Sequence, residues 1–385
     1  MGAVLITGAT GFVGIEVLAR YLERTDRRVY AVVRAPDQET ADERLRSVLS
    51  TFFGSADAHA GRVRAVPGDI EQEDLGLTPD VRRRLACEVR DIVHAAASVS
   101  FSLPLDESRA INGEGTRRML ELAELCRDHG GLRRFCHVST AYVAGEHDGE
   151  FAEDDLEVGQ EFRNAYEQSK FEAERLVRAH RRRLPIQIFR PSIIVGERPT
   201  GWTASFNVLY APLKAFSRGE YVALPGSPTA PVDVVSVDYV ADAIFELANG
   251  PAPDGEAETF HLVAGHRATT VGRLVELSAG YFRRRPPPLL PLGLYRRLVH
   301  PLLLRASRGR PRQALERSEV LFPYFAMRVR YRDERARRRL EPRGIRVTPV
   351  ERYFHRLADF AVRARWGRAA PTRAEAAGQI GSTTE

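Results

Sequence analysis

A tyrosine and a lysine stand four positions apart in NAYEQSKFEAE, residues 164–174. Four positions is one helical turn, so Tyr166 and Lys170 would project from the same face of a helix predicted over residues 161–182. An ammonium beside a phenol lowers the phenol's pKa from about 10 toward neutrality, and such a phenol can deliver a proton to a developing oxyanion. The same spacing also occurs by chance in ordinary helices, so other residues must decide between the two interpretations.

Two hydroxyl side chains end a predicted strand shortly before that helix. Ser139 and Thr140 close the run RFCHVST, and parallel strands deliver their last residues to the crevice where ligands bind. A hydroxyl there can donate a hydrogen bond to a substrate oxygen, and the strand register leaves Ser139 as a rival of Thr140. Asn112, in NGEGT, either links Lys170 to water or braces its own helix as a buried amide.

A glycine-rich loop follows the first predicted strand and opens a helix. In TGATGFVG, residues 7–14, Gly8 permits a tight turn, Gly11 lets backbone approach a pyrophosphate, and Gly14 allows close packing of helix on strand. The phosphates would meet free N–H groups at the positive end of the helix dipole. The predicted contacts to a dinucleotide are Thr7, Gly8, Thr10, Gly11, Phe12, Val13 and Gly14.

The end of the second predicted strand distinguishes the two nicotinamide dinucleotides. NAD sites usually place an acid there, on the ribose 2′-hydroxyl, whereas NADP sites offer a cation. The strand ends YAVVRAP, with Arg34 at that place and no acid before Asp37. A guanidinium suits a 2′-phosphate bidentately, although the same residue could be an ordinary surface arginine. The sequence therefore predicts NADPH.

The next two predicted strands supply further cofactor contacts. Asp69, followed by Ile70, is placed to accept a hydrogen bond from the adenine amine, or else it caps a helix. In HAAAS, small side chains stand where backbone must pass close to the cofactor, namely Ala95, Ala96 and Ala97.

These residues need an alternating order of strands and helices to bring them together. Short apolar runs, nearly continuous as in buried parallel strands, alternate with helical patterns. The strands are predicted at residues 3–8, 28–34, 63–69, 91–97, 134–140, 186–192 and 258–265, and the helices at 12–24, 37–53, 79–87, 106–129, 161–182 and 236–249. This order predicts the α/β class, with a Rossmann-type doubly wound parallel sheet and a smaller, mostly helical C-terminal substrate domain.

The distribution of charge marks a boundary within the chain. Residues 1–280 hold 32 Lys and Arg against 42 Asp and Glu, whereas residues 281–385 hold 25 against 9. The basic part suits an anionic partner, including peripheral contact with a membrane surface, or is only a solvated arginine-rich surface. No nucleic-acid-binding motif accompanies it. The predicted units are a dinucleotide-binding domain over 1–270, in which parts of 195–232 contribute to the substrate site, a basic substrate or cap domain over 271–368, and a flexible tail over 369–385.

Composition excludes several classes of protein. Three cysteines without paired spacing argue against a disulfide framework and fit a reducing compartment. The start MGAVLITG lacks the features of a signal peptide, and no apolar run approaches the roughly 18 residues of a membrane span. We therefore expect a cytoplasmic protein. No metal site is expected, because the histidines lack ligand spacing with acids or cysteines.

Taken in order, the glycine loop, the strand-end hydroxyl, Tyr-x-x-x-Lys and Arg-Pro-Ser resemble the extended short-chain dehydrogenase/reductases. Within them the chain is similar to the thioester-reductase and fatty acyl-CoA reductase branch, which includes the reductase domains of carboxylic acid reductases. The resemblance covers roughly residues 3–265 and lies in stretches such as DIVHAAASVSF, INGEGTRRMLELA, HVSTAYVAG, NAYEQSKFEAERLV and FRPSIIVGERPTGWTASFN.

The resemblance implies an NADPH-dependent reduction of an acyl thioester, carried on CoA or an acyl carrier protein, to an aldehyde. A second hydride would give the alcohol if the aldehyde is retained. Thr140, Tyr166 and Lys170 become the catalytic set, with Asn112 as support and Lys170 also holding the nicotinamide ribose. Shortly after Pro191, the backbone groups of Ile193 and Ile194 would hold the carboxamide of the nicotinamide ring. Because the first strand begins at residue 3, we expect the substrate to arrive already activated.

Two rival functions remain open from the sequence. One is an NADPH-dependent reductase of the same fold acting on a free ketone, of the hydroxysteroid or dihydroflavonol type. The other is a non-catalytic NADP-sensing regulatory protein, and such proteins commonly lack the tyrosine. The oligomeric state is not predicted.

Overall fold

A computed structural model describes residues 2–57, 59, 61–206, 208–251, 257–369 and 371–381. Its centre is a sheet of seven strands, all parallel. The strands are β1 (Ala3–Thr7), β2 (Val29–Val33), β3 (Val63–Pro67), β4 (Val89–His94), β5 (Arg134–Val138), β6 (Ile186–Pro191) and β7 (Glu258–Leu262), in the spatial order β7-β6-β5-β4-β1-β2-β3.

Helices connect and cover these strands. They are α1 (Phe12–Arg24), α2 (Gln38–Phe53), α3 (Pro79–Glu88), α4 (Leu105–Arg109), α5 (Gly115–Gly130), α6 (Ala165–Ala179), α7 (Tyr210–Arg218), α8 (Val237–Asn249), α9 (Val271–Phe282), α10 (Leu292–Leu294), α11 (His300–Ala306), α12 (Arg310–Ser318), α13 (Glu334–Leu340), α14 (Phe354–Arg363) and α15 (Arg373–Gly381). A π-helical turn at Ala110–Glu114 joins α4 to α5, and another at Tyr295–Val299 joins α10 to α11.

Both faces of the sheet are buried, as the continuous apolar runs predict. Val4 and Ile6 of β1 belong to one apolar cluster, whereas Leu5 between them belongs to the cluster on the opposite face. The predicted Rossmann-type doubly wound sheet is thus confirmed, and each predicted strand overlaps an observed one. The strand order reverses between β1 and β4, which places a ligand-binding crevice at the carboxyl ends of those two strands.

The C-terminal part joins the sheet region through short strand pairs and shared clusters. Four pairs of short strands lie outside the main sheet: Glu150–Phe151 with Arg330–Tyr331, Ile193–Val195 with Val234–Ser236, Leu224–Pro225 with Leu289–Leu290, and Pro231–Val232 with Thr269–Thr270. Ala336 and Leu340 of α13 even belong to one of the two clusters that cover the sheet.

The predicted flexible tail is in part a packed segment. In the span 369–385, helix α15 buries Ala376 against Trp202, whose Nε1 donates to the Pro371 carbonyl at 3.0 Å. Arg373 pairs with the buried Glu197 at 2.8 Å. A buried apolar contact and an ion pair thus join these residues to parts of the chain that are distant in sequence. Residues 370 and 382–385 of that span lie outside the described residues.

Candidate active site

The predicted site residues lie at one edge of the sheet, where its parallel strands end. Their positions there are Thr7 at the end of β1, Arg34 after β2, Asp69 after β3, Ala95 after β4, Ser139 after β5 and Pro191 at the end of β6. The crevice at the reversal of strand order lies directly beside the glycine loop.

The loop between β1 and α1 has the close packing that its glycines predict. Gly8 has φ of +71°, and a Cβ there would lie 2.7 Å from the Ala96 nitrogen. A Cβ on Gly14 would lie 2.0 Å from the Gly8 oxygen. Gly11 is exposed at the start of α1, with Thr10, Phe12 and Val13 half-buried around it. An open backbone cradle at a helix N-terminus fits a pyrophosphate, so these residues suit a dinucleotide.

Thr7 does not face the crevice but fixes the backbone that does. Its buried hydroxyl pairs with Nδ1 of His94 at 2.8 Å and accepts from the Ala96 nitrogen at 3.2 Å. Burial lowers the pKa of His94 to about 3, so the ring is neutral and holds this arrangement at ordinary pH. The half-buried segment Ala95–Ala97 is thereby held against the glycine loop.

Arg34 lies exposed directly after the end of β2. Its side chain is 69% exposed and pairs with Glu71 at 3.2 Å, while Arg44 of α2 donates to the Arg34 carbonyl. Asp69 closes a turn of its own loop by accepting from the Glu71 nitrogen at 3.0 Å, and it caps no helix. Ile70 is nearly buried beneath it. Two cations at this strand end fit the additional phosphate of NADP.

The two neighbouring hydroxyls after β5 point in opposite directions. Ser139 donates to Oε2 of Glu174 at 2.7 Å, inside a buried ion-pair network. Thr140 instead accepts from the Tyr142 nitrogen at 3.2 Å, and its hydroxyl lies near enough to the Tyr166 phenol to lower the pKa of Tyr166. The register that the sequence left open thus places the Thr140 hydroxyl, and not that of Ser139, beside the tyrosine.

The pKa of Tyr166 is shifted opposite to the direction that the sequence predicted. Burial raises the pKa of Tyr166 to about 12, the nearby Thr140 hydroxyl lowers it, and the charge of Glu167 raises it. A helical spacing shows that Lys170 is near, but it cannot show how far the phenol is withdrawn from water. At neutral pH the phenol is therefore protonated, which is the state from which a proton donor must start.

Lys170 is buried one turn further along α6. Its ammonium donates to the Val138 carbonyl at 2.9 Å, so it is anchored at the end of β5. Burial lowers the pKa of Lys170 to about 8, while the charge of Glu174 raises it. Its charge also contributes to the lowered pKa of His94 and His137, which places it among the strand ends.

The lowered pKa of Lys170 predicts an alkaline limit on activity. The charged form is lost as pH rises through about 8, whereas the Tyr166 phenol still carries its proton there. We expect kcat/KM to fall above that pH with one apparent pKa near 8, because kcat/KM reports groups of the free enzyme. The measurement is a pH–rate profile at constant ionic strength. A profile that is flat up to pH 10 would contradict this assignment.

Asn112 has the bracing role that the sequence gave as its second interpretation. It lies in the π-helical turn between α4 and α5 and is 2% exposed. Its Oδ1 accepts from the Ser98 nitrogen at 2.8 Å, and its Nδ2 donates to the Ser98 carbonyl and to the Ser169 hydroxyl. Asn112 therefore ties the segment after β4 to α6, and its predicted link to Lys170 through water stays a prediction.

A stack of aromatic rings covers the tyrosine and was not predicted. Phe101 lies between two phenols, with ring centroids 5.4 Å from Tyr166 and 5.3 Å from Tyr324. Tyr324 donates to the buried Glu167 at 2.6 Å and accepts from Asn164, the N-cap of α6. The stack therefore connects the C-terminal part directly to the start of the helix that carries Tyr166.

An apolar cavity opens beside this stack. Its volume is about 110 Å³, and Tyr142 and Tyr324 form part of its wall next to the Thr140–Tyr166 pair. The remaining wall comes from α7, α9, α14 and nearby segments and is lined by Leu209, Leu213, Phe216, Leu224, Val232, Val271, Leu274, Val275, Phe325, Met327 and Phe354, among others. The cavity draws on the predicted stretch 195–232 and on the C-terminal part.

The segment after β6 forms the floor between the crevice and this cavity. Ile193 lines the cavity, and its nitrogen donates to the Asp233 carbonyl at 3.2 Å. Ile193 and Ile194 are half-buried and pair in register with Val234 and Val235. Pro191 ends β6, and its carbonyl accepts from the Thr140 hydroxyl at 3.5 Å.

Neither a metal centre nor a spanning helix occurs in the part of the chain that the structure describes. No cluster of three or more histidines, cysteines and acids there is arranged to bind a metal ion. None of the described helices combines the length and the apolar character required to cross a bilayer.

Comparison with known proteins identifies the family. The model of the male sterility protein family, an NAD-binding domain model, matches residues 6–244. The chain belongs to this family. Its resemblance to the extended short-chain dehydrogenase/reductases of the thioester-reductase and fatty acyl-CoA reductase branch is confirmed, and a nicotinamide cofactor is supported.

The relatives of this chain differ in length. It is 33% identical over 273 residues to glycine betaine reductase ATRR of Emericella nidulans, a match that covers 67% of this chain and 21% of the relative. It is 27% identical over 351 residues to fatty acyl-CoA reductase 1 of Arabidopsis thaliana, covering 74% of this chain and 71% of the relative. The chain thus spans only about a fifth of the length of the fungal protein.

A solved structure resembles the whole fold. The terminal R domain from the myxalamid PKS–NRPS biosynthetic pathway superposes with a TM-score of 0.82 at 27% identity. The superposition covers 96% of this chain and 92% of that domain. The likeness therefore includes the C-terminal part that the sequence motifs did not cover.

Proposed function

We propose that this male sterility family member is an NADPH-dependent reductase that converts an acyl thioester, carried on CoA or on an acyl carrier protein, to an aldehyde. The observation that carries the proposal is the Thr140–Tyr166 hydroxyl pair, whose neighbours Tyr142 and Tyr324 line an apolar cavity. A hydroxyl pair suits a carbonyl oxygen, and an apolar cavity suits an acyl chain. The name of fatty acyl-CoA reductase 1, a relative aligned over 351 residues, supports the same substrate class.

The side chains have distinct roles in this proposal. NADPH, held by the glycine loop, Arg34 and Lys170, would supply the hydride. Thr140 and Tyr166 donate hydrogen bonds to the carbonyl oxygen of the thioester and stabilise its developing negative charge. Tyr166 then gives its proton to that oxygen. The product is a hemithioacetal, which breaks its carbon–sulfur bond to release aldehyde and thiol.

Chain-length dependence tests the role of the cavity. Val275 lines the cavity within the cluster of Phe216 and Leu224. We expect Val275→Phe to lower kcat/KM for long acyl-CoA substrates by at least about tenfold while sparing short ones, because one added ring fills the space of several methylenes. Aldehyde, alcohol and NADPH are scored separately across an acyl-CoA series. An equal loss at every chain length would show that acyl chains do not occupy this cavity.

The preference for NADPH is tested at Arg34. We expect Arg34→Ala to raise the KM for NADPH by roughly 10- to 100-fold and to leave the KM for NADH nearly unchanged, because a charge-assisted contact to the 2′-phosphate is worth about 1.5–3 kcal/mol. Arg46→Ala, which removes an exposed arginine of α2, is the matched control. An equal change in KM for NADPH and for NADH would show that Arg34 does not recognise the 2′-phosphate.

A further inference from the structure

Exposed leucines and arginines lie along the segment from α10 to α11, and we call this surface the leucine–arginine face. Leu294, Leu298 and Leu302 are 45%, 52% and 61% exposed, four residues apart. Val222, which is 68% exposed, precedes Ala223, and Ala223 belongs to the same apolar cluster as residues of this segment. The described residues include seven large apolar side chains that are exposed, and four of the seven belong to this leucine–arginine face.

The charged residues of this segment have one sign, and the nearby Glu319 lies 3.6 Å from His300 of α11. Between Glu276 and Glu316 the sequence holds nine arginines and no acid. The exposed arginines of the face form no ion pair with any residue in the described ranges, namely Arg296, Arg297, Arg305 and Arg308. Around α13, by contrast, Arg335, Arg337 and Arg339 each pair with an acid. The arginines of this face thus differ in ion pairing from the three of α13.

The inner side of the same segment supports the wall of the apolar cavity. Tyr295 is buried with Ala223 and Phe322. The strand Leu289–Leu290, just before α10, pairs with Leu224–Pro225, and Leu224 lines the cavity. The leucine–arginine face is therefore one layer of side chains away from the space assigned to the acyl chain.

We propose that the leucine–arginine face docks the protein onto an anionic lipid surface. The leucines would enter the boundary between head groups and acyl chains, and the arginines would reach lipid phosphates while their stems lie along apolar surface. We favour a lipid surface over an acidic protein as the partner. The transfer of four exposed apolar side chains out of water is most favourable when all four enter an apolar layer together, which a lipid surface offers. The docking itself does not depend on the proposed reaction. Only the idea that docking delivers acyl substrates from the lipid surface rests on the proposed function.

Co-sedimentation of the full chain with vesicles tests the docking. We expect binding to vesicles of phosphatidylcholine with phosphatidylglycerol and little binding to phosphatidylcholine alone. Both a triple Leu294→Ser, Leu298→Ser, Leu302→Ser variant and a triple Arg296→Glu, Arg297→Glu, Arg305→Glu variant should bind at least about tenfold more weakly. The matched charge control reverses three exposed arginines elsewhere, Arg46→Glu, Arg64→Glu and Arg182→Glu, and should bind far better than the second variant.

Three results would overturn the proposal. The first is no sedimentation with either kind of vesicle. The second is that the wild-type protein binds an acidic acyl carrier protein but no vesicle, and that both variants lose the binding to the carrier protein. The third is a wild-type dimer in size-exclusion chromatography that the leucine variant converts to a monomer. Activity on a short, water-soluble acyl thioester, measured without lipid, reports on the reaction separately, so a failure of docking is distinguishable from a failure of the proposed function.

Discussion

Replacing Tyr166 by phenylalanine is expected to lower kcat by roughly 10²- to 10⁴-fold, because the carbonyl oxygen loses both a hydrogen-bond donor and its proton source. The ring stays in place, since its stacking on Phe101 does not involve the hydroxyl. NADPH binding, measured by fluorescence titration, and the melting temperature should change little. Turnover of Tyr166→Phe within a few-fold of wild type would remove the phenol from the reaction.

The two hydroxyls after β5 provide the matched pair of controls. Thr140→Val removes the hydroxyl beside Tyr166 and should cost about 10²- to 10³-fold in kcat, as loss of one oxyanion donor does. Ser139→Ala removes a hydroxyl that donates to Glu174 and should leave kcat nearly unchanged. If Ser139→Ala abolished activity while Thr140→Val did not, the assignment of the two hydroxyls would be reversed.

Replacing Glu174 by glutamine is expected to lower the free energy of unfolding by about 3 kcal/mol or more, because it leaves a buried charge without its partner. Arg190 is fully buried and donates to both carboxylate oxygens, at 3.0 and 2.7 Å. The matched control is Glu172→Gln on the same helix, which breaks the exposed pair with Arg109 and should cost less than about 1 kcal/mol. Urea unfolding of both variants gives the comparison.

The difference in the free energy of unfolding between wild type and Glu174→Gln should depend on pH, which gives a second readout. Burial alone would raise the pKa of Glu174, but Arg190 and Arg178 outweigh it and hold the pKa below its ordinary value of 4.5. A carboxyl group whose pKa is lower in the folded state stabilises the fold when the pH is above its pKa in the unfolded state. This stabilisation is lost as the pH falls through the pKa of the folded state. The gap between wild type and Glu174→Gln should therefore shrink below pH 4.5. A gap that is constant down to pH 3 would point to lost packing instead of lost charge.

The sheet and its cofactor loop could be predicted from sequence because their signals are local. Continuous apolar runs mark β1 to β7 within a few residues, and Gly8 and Gly14 stand where a side chain would collide with backbone. The set Thr140, Tyr166 and Lys170 is what the family resemblance implies, since type and spacing alone leave Ser139 as a rival, and the structure places these residues on neighbouring elements at the strand ends.

The remaining features depend on contacts that sequence spacing does not carry. Phe101 and Tyr324 are far apart in the chain, so their stack appears only when the C-terminal part folds back on α6. The direction of the Tyr166 pKa shift depends on burial, and the role of Asn112 depends on a π-helical turn within a segment predicted as one regular helix. Each of these is set by tertiary packing.

Following the hydride itself tests the central claim most directly. With NADPH deuterated at the transferable position of the nicotinamide and an acyl-CoA substrate, the proposal predicts one deuterium at C1 of the aldehyde and one free CoA thiol for each NADPH consumed, and a second deuterium at C1 of any alcohol. The contradicting result is NADPH oxidation that leaves the thioester intact, releases no thiol and deuterates a ketone instead.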